Sequence, residues 1–408
     1  MKCVSRATDI YSAVWPLHFI SRIFGLAPYS LKPGAESAKC STFVTCLCRT
    51  WSILCIIFVV ALEYFYMTGI IIKSSTLKHK VTSILFFASM CSCSIINIFQ
   101  SLIIIGVKLR EILHKFSEID QRFSSKVYRS LIYKNTSLFF TLQFATVILV
   151  VIIINVLLIY VSKGYLTFIH IFSAFFLSVP ALVNCTAILH FVNLVLLLRN
   201  KYKYLNSELE SSALSPCNIT NSEYCNTNYV TPIDTFRMKP SFNEQRGYRY
   251  YSRRQHFRNL RIIYSQLHDV ALLINSTYGF SLLCATVWMF CSVIPTANNL
   301  IEMKPTNIYG HIITTVLWSI YYFALIGIMA MSCSLAVNEC SRSPLIVQKI
   351  MLRDDIDSEV MKELEMMFTQ FKAMKIEFSA CDMYRIDLQF LCGIISGSFS
   401  YVIIVMQL

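Results

Sequence analysis

Seven residues close to the C-terminus fall on one helical face. At about 100° per residue, Gly393, Ser396, Gly397, Ile403, Ile404 and Gln407 all lie within about 60° of Ser400. That face is small and polar, is closed by two isoleucines and is tipped by an amide. Two kinds of chemistry suit it. The Gly393-x-x-x-Gly397 pattern lets neighbouring helices approach closely. Alternatively, several copies of the helix surround a water-filled path, with Ile403 and Ile404 as a constriction that can dewet and Gln407 as a ring of dipoles. Neither is catalysis. The chain has no phosphate-binding loop, no paired-histidine metal motif and no nucleophile elbow, so an enzyme is not expected.

A second set of residues could meet a small molecule. Glu63, His170 and His190 are ionisable side chains inside apolar stretches, where charge is costly and a ligand or a neighbouring helix can compensate it. Tyr278, Trp288, Trp318, Tyr321 and Tyr322 supply flat faces on which an apolar or sugar-like compound stacks, although helix packing and interfacial anchoring use the same residues. Sixteen cysteines are scattered, most of them inside apolar runs. Cys46-x-Cys48 and Cys91-x-Cys93 each lack the second pair that a zinc site needs, so no metal, no cofactor and no external disulfide are expected.

The elements that must position these residues are membrane helices. Hydrophobic residues make up 55% of the 408-residue chain and charged residues only 14%, too little polar surface to cover a soluble core. Apolar runs of spanning length occur at about 51–72, 81–107, 137–161, 166–198, 271–294, 308–336 and 388–408. The expected fold is an all-α integral membrane protein with seven transmembrane helices, in which residues 51–408 form the membrane domain and 1–50 an N-terminal segment without a cleavable leader. Pro180 is expected to kink the long fourth span.

Charge sets the direction. The segment before the first span and the second, fourth and sixth connections carry six, seven, eleven and seven Lys or Arg; the other three carry three, one and one. The basic set belongs on the cytosolic side, which predicts a cytosolic N-terminus and an extracellular C-terminus. The net charge of +13 is thereby spent on topology, and no nucleic-acid partner is expected. The sequons agree: Asn218-Ile-Thr220 and Asn135-Thr-Ser137 lie in or beside cytosolic connections, and Asn184 and Asn275 lie inside spans.

The cytosolic connections have their own pattern. Leu109, Ile112, Phe116, Ile119, Phe123 and Val127 predict a helical extension over 108–131. The Ser-, Asn-, Thr- and Pro-rich stretch 206–245 reads as a disordered insert, and the arginines of 246–262 as a basic juxtamembrane helix drawn to anionic lipid. Ile356, Val360, Leu364, Met367, Phe371 and Met374 draw one apolar stripe over 354–378, with acids at its start and Lys372 and Lys375 at its end. Such a helix must bury its stripe, which predicts a cytosolic helical anchor bundle.

The C-terminal stretch Ser400-Tyr401-Val-Ile-Ile-Val-Met-Gln407-Leu408 resembles the signature of insect gustatory receptors, Thr-Tyr, five apolar residues, then Gln-Phe. Phe378-Ser-Ala-Cys-Asp382 and Tyr384-Arg-Ile-Asp387-Leu388 are similar to the family's lead-in to that signature. His268-Asp269, Asn275 and Tyr278-Gly279 resemble its entry to the fifth span, and Pro16-Leu17-His18 and Phe24-Gly25-Leu26-Ala27-Pro28 its N-terminal segment. Ser400 stands for Thr and Leu408 for Phe, which keeps a hydroxyl and an apolar plug but alters the size of the plug.

The resemblance implies a homo- or hetero-tetrameric, tastant-gated, non-selective cation channel in the plasma membrane of gustatory neurons, including dendrite, axon and cell body. The last span of each subunit would line a central pore. Gln407 and Leu408 would sit at the outer gate and Tyr401 behind the pore wall, and the tastant would enter a separate pocket in each subunit. Sugar receptors of the family often carry an acid after the motif tyrosine; here it is Val402, which favours a bitter, plant-compound type, with a fructose- or sugar-type receptor as the alternative. A G-protein-coupled receptor also has seven spans. It would need an external N-terminus, and it usually brings Asp-Arg-Tyr, Asn-Pro-x-x-Tyr and a cytosolic tail, which this sequence lacks.

Overall fold

The computed structural model describes residues 9–31, 38–73, 77–123, 126–161, 168–214, 242–301, 308–354 and 356–407. They are almost wholly helical: α1 (Ile10–Ile23), α2 (Ala38–Lys73), α3 (Leu77–Gln100), α4 (Gly106–Arg122), α5 (Lys126–Val161), α6 (Phe168–Leu214), α7 (Phe242–Ile301), α8 (Ile308–Met351), α9 (Ser358–Ala373) and α10 (Leu388–Gln407). A π-helical stretch, Ser101–Ile105, joins α3 to α4.

Six of these helices carry segments long and apolar enough to cross a bilayer: Phe43–Thr68, Lys80–Arg122, Tyr133–Leu157, Ser178–Ser212, Arg253–Ser292 and Val316–Met351. α10 is the seventh, and its 20 residues rise about 30 Å, the thickness of the hydrocarbon core. The multi-pass, seven-helix architecture expected from the apolar runs is therefore present. The helices outrun those runs because backbone hydrogen bonds close within a helix whatever its side chains are. α2 starts at Ala38, before the expected position 51, and α7 at Phe242, before 271. Both ends of the stretch 206–245 are likewise helical, 206–214 closing α6 and 242–245 opening α7; residues 215–241 lie outside the described residues. α6 runs through Pro180.

The chain divides into two compact units. The first comprises Met1–Leu197, Val270–Leu335 and Glu377–Leu408. Its periphery is apolar and open: Leu47, Leu54 and Phe58 on α2 and Leu142, Leu149 and Ile152 on α5 are all exposed, a surface suited to lipid and not to water. Inside, α3 and α6 are joined by amides. Asn184 donates from Nδ2 to the Met90 carbonyl (3.0 Å) and accepts from Asn97 Nδ2 and Ser94 Oγ (both 3.1 Å). Such bonds are retained where no water competes.

α1 was not apparent as a helix in the sequence. Asp9 and Ser12 box its start, with Ser12 N–H donating to Asp9 Oδ1 (2.9 Å) and Asp9 N–H to Ser12 Oγ (3.2 Å). Its inner face, with Ala13, Val14, Leu17 and His18, is buried, and α1 packs against α4 and α5. The following segment, Phe24 to Leu31, is tied inward. Gly25 takes a left-handed φ of 74°, its carbonyl accepts from Ser52 Oγ (2.7 Å), and the Leu26 carbonyl accepts from Ser101 Oγ (2.8 Å). Leu26 is buried against Ile98 and Val183.

The second unit comprises Leu198–Asp269 and Ala336–Ile376. It is a helical bundle in which α9 buries Val360, Leu364, Met367 and Phe371, the stripe read from the sequence. Asp357 caps α9, and the helix stops at Ala373, short of the expected 378. Tyr264 is its central aromatic. The ring stacks on Phe371 (centroids 3.6 Å apart), Tyr202 meets it edge-on, and its hydroxyl donates to the Met374 carbonyl (3.0 Å). Of the arginines assigned to lipid, Arg254 and Arg261 instead pair with Glu359 (3.2 Å) and Glu363 (2.7 Å) on α9.

Candidate ligand site and pore helix

α10 is set up by the residues before it. A two-stranded antiparallel hairpin, β1 (Ser379–Ala380) and β2 (Tyr384–Arg385), precedes it, with Cys381 and Asp382 both left-handed at the turn. Asp387 Oδ1 then accepts from Phe390 N–H (2.8 Å), satisfying a free donor of the first helical turn. Tyr384 stacks on Phe390 with ring centroids 4.8 Å apart.

The face of α10 singled out by sequence is the open one. Gly393, Ser396, Gly397, Ser400 and Ile403 are all exposed, whereas Ser398 on the opposite side is buried. A Cβ built on Gly393 or Gly397 would meet no atom within 4 Å among the described residues. Among the described residues, the glycine pair is thus not spent on close packing within the subunit. The side chains of Tyr401, Ile404 and Gln407, and the whole of Leu408, lie outside the described residues.

The aromatics form two groups. Trp288 on α7 meets Tyr322 on α8 edge-on (5.3 Å), Trp318 stacks on Tyr322 (5.7 Å), and Tyr321 lies edge-on to Trp318 (5.6 Å). Trp288 is fully buried, and its indole N–H has no protein partner among the described residues. The Tyr321 hydroxyl lies beside the Cys185 thiol of α6. Tyr278 stands apart, ten residues or about 15 Å along α7 from Trp288. Its hydroxyl shares a hydrogen bond of 2.8 Å with His190 Nδ1, and Phe191 packs beside its ring.

Trp288, Trp318 and Tyr322 therefore come together, and Tyr278 joins a different cluster. Glu63 belongs to neither; it is partly buried on α2, within electrostatic range of Cys91. The His170 side chain lies outside the described residues. Sequence reasoning missed two residues that touch this region, Asn275 and Phe378. Asn275 holds Ser379 at the start of the hairpin, and Phe378 packs edge-on against Phe191 (5.9 Å). The signal was their membership in the two quoted motifs; that the motifs meet is a long-range fact.

The sequence matches the family model described as 7tm Chemosensory receptor over residues 15–408. The chain belongs to the 7tm chemosensory receptor family. It is accordingly a receptor and not an enzyme. No curated protein matches it. Among solved structures it is similar to the insect olfactory receptor OR5 from Machilis hrabei, with 12% identity, 97% of each chain covered and a TM-score of 0.67. The same receptor in complex with eugenol gives 12% identity, 97% coverage of each chain and a TM-score of 0.66. At that identity the likeness is one of fold, and it extends over nearly the whole of this chemosensory receptor.

Proposed function

We propose that this receptor is a tastant-gated, non-selective cation channel of gustatory neurons, of the bitter or plant-compound type. The observation that carries the reading is the open face of α10. A membrane helix that exposes Gly393, Ser396, Gly397 and Ser400, with no described residue within 4 Å of a Cβ at either glycine, suits a shared aqueous path better than lipid. Four copies would surround that path, with Ile403 and Ile404 narrowing it and Gln407 and Leu408 at its outer mouth. The lysines and arginines of the connections support a cytosolic N-terminus and plasma-membrane insertion in that sense.

The aromatic group of Trp288, Trp318 and Tyr322 supports a small, uncharged, partly aromatic ligand. The indole N–H of Trp288, without a partner among the described residues, would serve as donor to an oxygen of that ligand. That the olfactory receptor OR5 forms a complex with eugenol, a small molecule, is in keeping with this. Calcium imaging of cells expressing the full chain, without added G protein, against a panel of plant compounds and sugars tests the reading. Responses to plant compounds that weaken in Trp288→Phe support it; responses confined to sugars overturn the bitter type.

A further inference from the structure

Two segments 104 residues apart in sequence are fastened together just before α10. On α7, Asn275 Oδ1 accepts from the Ser379 backbone N–H (2.8 Å) and Asn275 Nδ2 donates to Ser379 Oγ (3.1 Å). The Ser379 hydroxyl in turn donates to Asp382 Oδ1 (2.7 Å). One turn along α7, Gly279 lets the hairpin lie directly on the helix: a Cβ there would sit 3.2 Å from the Cys381 backbone nitrogen. Between these two contacts stands Tyr278, bound to His190, and Phe191 beside it packs on Phe378 at the root of the hairpin.

The path from this clasp to α10 is stiff. Cys381 (φ 51°) and Asp382 (φ 57°) are consecutive non-glycine residues in the left-handed region, a conformation kept only where the surroundings impose it. The Ser379–Asp382 bond and the Asn275 clasp do so. The Ile386 N–H donates to the Phe378 carbonyl (2.8 Å), Tyr384 stacks on Phe390, and Asp387 caps the helix. No glycine or proline occurs from 377 to 392, so displacement of the hairpin is not absorbed before α10 begins.

We propose that Asn275 and Gly279 are positioning residues for the pore: they fix the hairpin on α7 and so set how α10 is held, passing movement of α7 near the Tyr278–His190 pair to the open face of α10. The proposal rests on the reading of α10 as the pore helix. Its test is the agonist-free whole-cell current of the full-length protein, divided by surface density from biotinylation, in Asn275→Ala, Gly279→Val and Ser379→Ala, with Ile403→Ala as a control on the pore itself. The current per surface channel is expected to change by roughly fivefold or more in Asn275→Ala and Gly279→Val. A smaller change is expected in Ser379→Ala, which keeps the backbone bond to Asn275. A purely structural role would lower surface density and leave the current per channel as in the wild type. If Asn275→Ala and Gly279→Val do not reach the surface, Ser379→Ala decides: an altered current per channel supports the clasp and a wild-type value overturns it. Should Ile403→Ala alter the current while the clasp variants only follow surface density, the clasp is wrong and the pore stands. Should Ile403→Ala also leave the current unchanged, the pore reading fails and the clasp falls with it.

Discussion

Tyr278 on α7 and His190 on α6 share a 2.8 Å hydrogen bond where both side chains are buried. The other imidazole nitrogen, Nε2, has no partner among the described residues. The pair thus joins two helices through a bond that, among the described residues, alone keeps this histidine from being an unpaired buried polar group.

Tyr278→Phe is expected to destabilise the protein by about 1–3 kcal/mol, because it leaves the imidazole unpaired as well as removing a bond. Adding His190→Phe should then cost less than the sum of the two single changes, since the orphaned group is gone. Thermal unfolding in detergent checks this, and strictly additive losses would contradict it.

The second unit offers a contrast of two ion pairs. Glu363 is 2% exposed and meets Arg261 at 2.7 Å, whereas both members of the Arg254–Glu359 pair are exposed. Arg261→Ala should cost about 3–5 kcal/mol by leaving a carboxylate buried and unpaired. Arg254→Ala should cost under about 1 kcal/mol. Protease resistance of the purified receptor reads the difference, and equal sensitivity of the two variants would count against it.

His18 predicts a pH dependence. Burial first, then the neighbouring Arg22 guanidinium and His190, hold its pKa down at about 3, against 6.5 when free. The unfolded chain therefore binds the extra proton between these values. The stability that neutral His18 contributes is fully present above pH 6.5 and falls away as the pH drops towards 3, by about 1.4 kcal/mol per unit within that window. Melting temperatures measured from pH 7.5 down to 5 should fall less steeply in His18→Gln than in the wild type. Identical slopes would show that His18 is not the group responsible.

Much of this was legible in the sequence where one periodicity decides the outcome. The stripe from Val360 to Phe371 marked both α9 and its buried side, and the spacing from Gly393 to Ile403 marked one small, polar face of α10, although not that this face is exposed. Helix ends were not legible, because apolar runs report the membrane and not the backbone: α7 starts at Phe242 among polar residues. α1 was hidden by its mixed composition and by Pro16 within it, and its start is held by a capping box that only the three-dimensional contacts reveal. The hairpin turn was hidden for a different reason. Its left-handed positions carry Cys381 and Asp382, not the Asn-Gly that normally announces such a turn. Asn275 and Ser379 each lay in a motif similar to the family's, yet nothing local says that one clasps the other. The aromatic group was found residue by residue, but its division into a Trp288–Trp318–Tyr322 set and a Tyr278–His190 pair follows from the packing of α6, α7 and α8.

The central claim is that α10 lines a cation pore, and the charge at Gln407 tests it most directly. Four lysines at that position would repel permeant cations and four carboxylates would attract them. Whole-cell currents of Gln407→Lys and Gln407→Glu, recorded with equal surface expression, are predicted to move in opposite directions, cation current falling with Lys and rising with Glu. Wild-type currents in both variants would contradict the account.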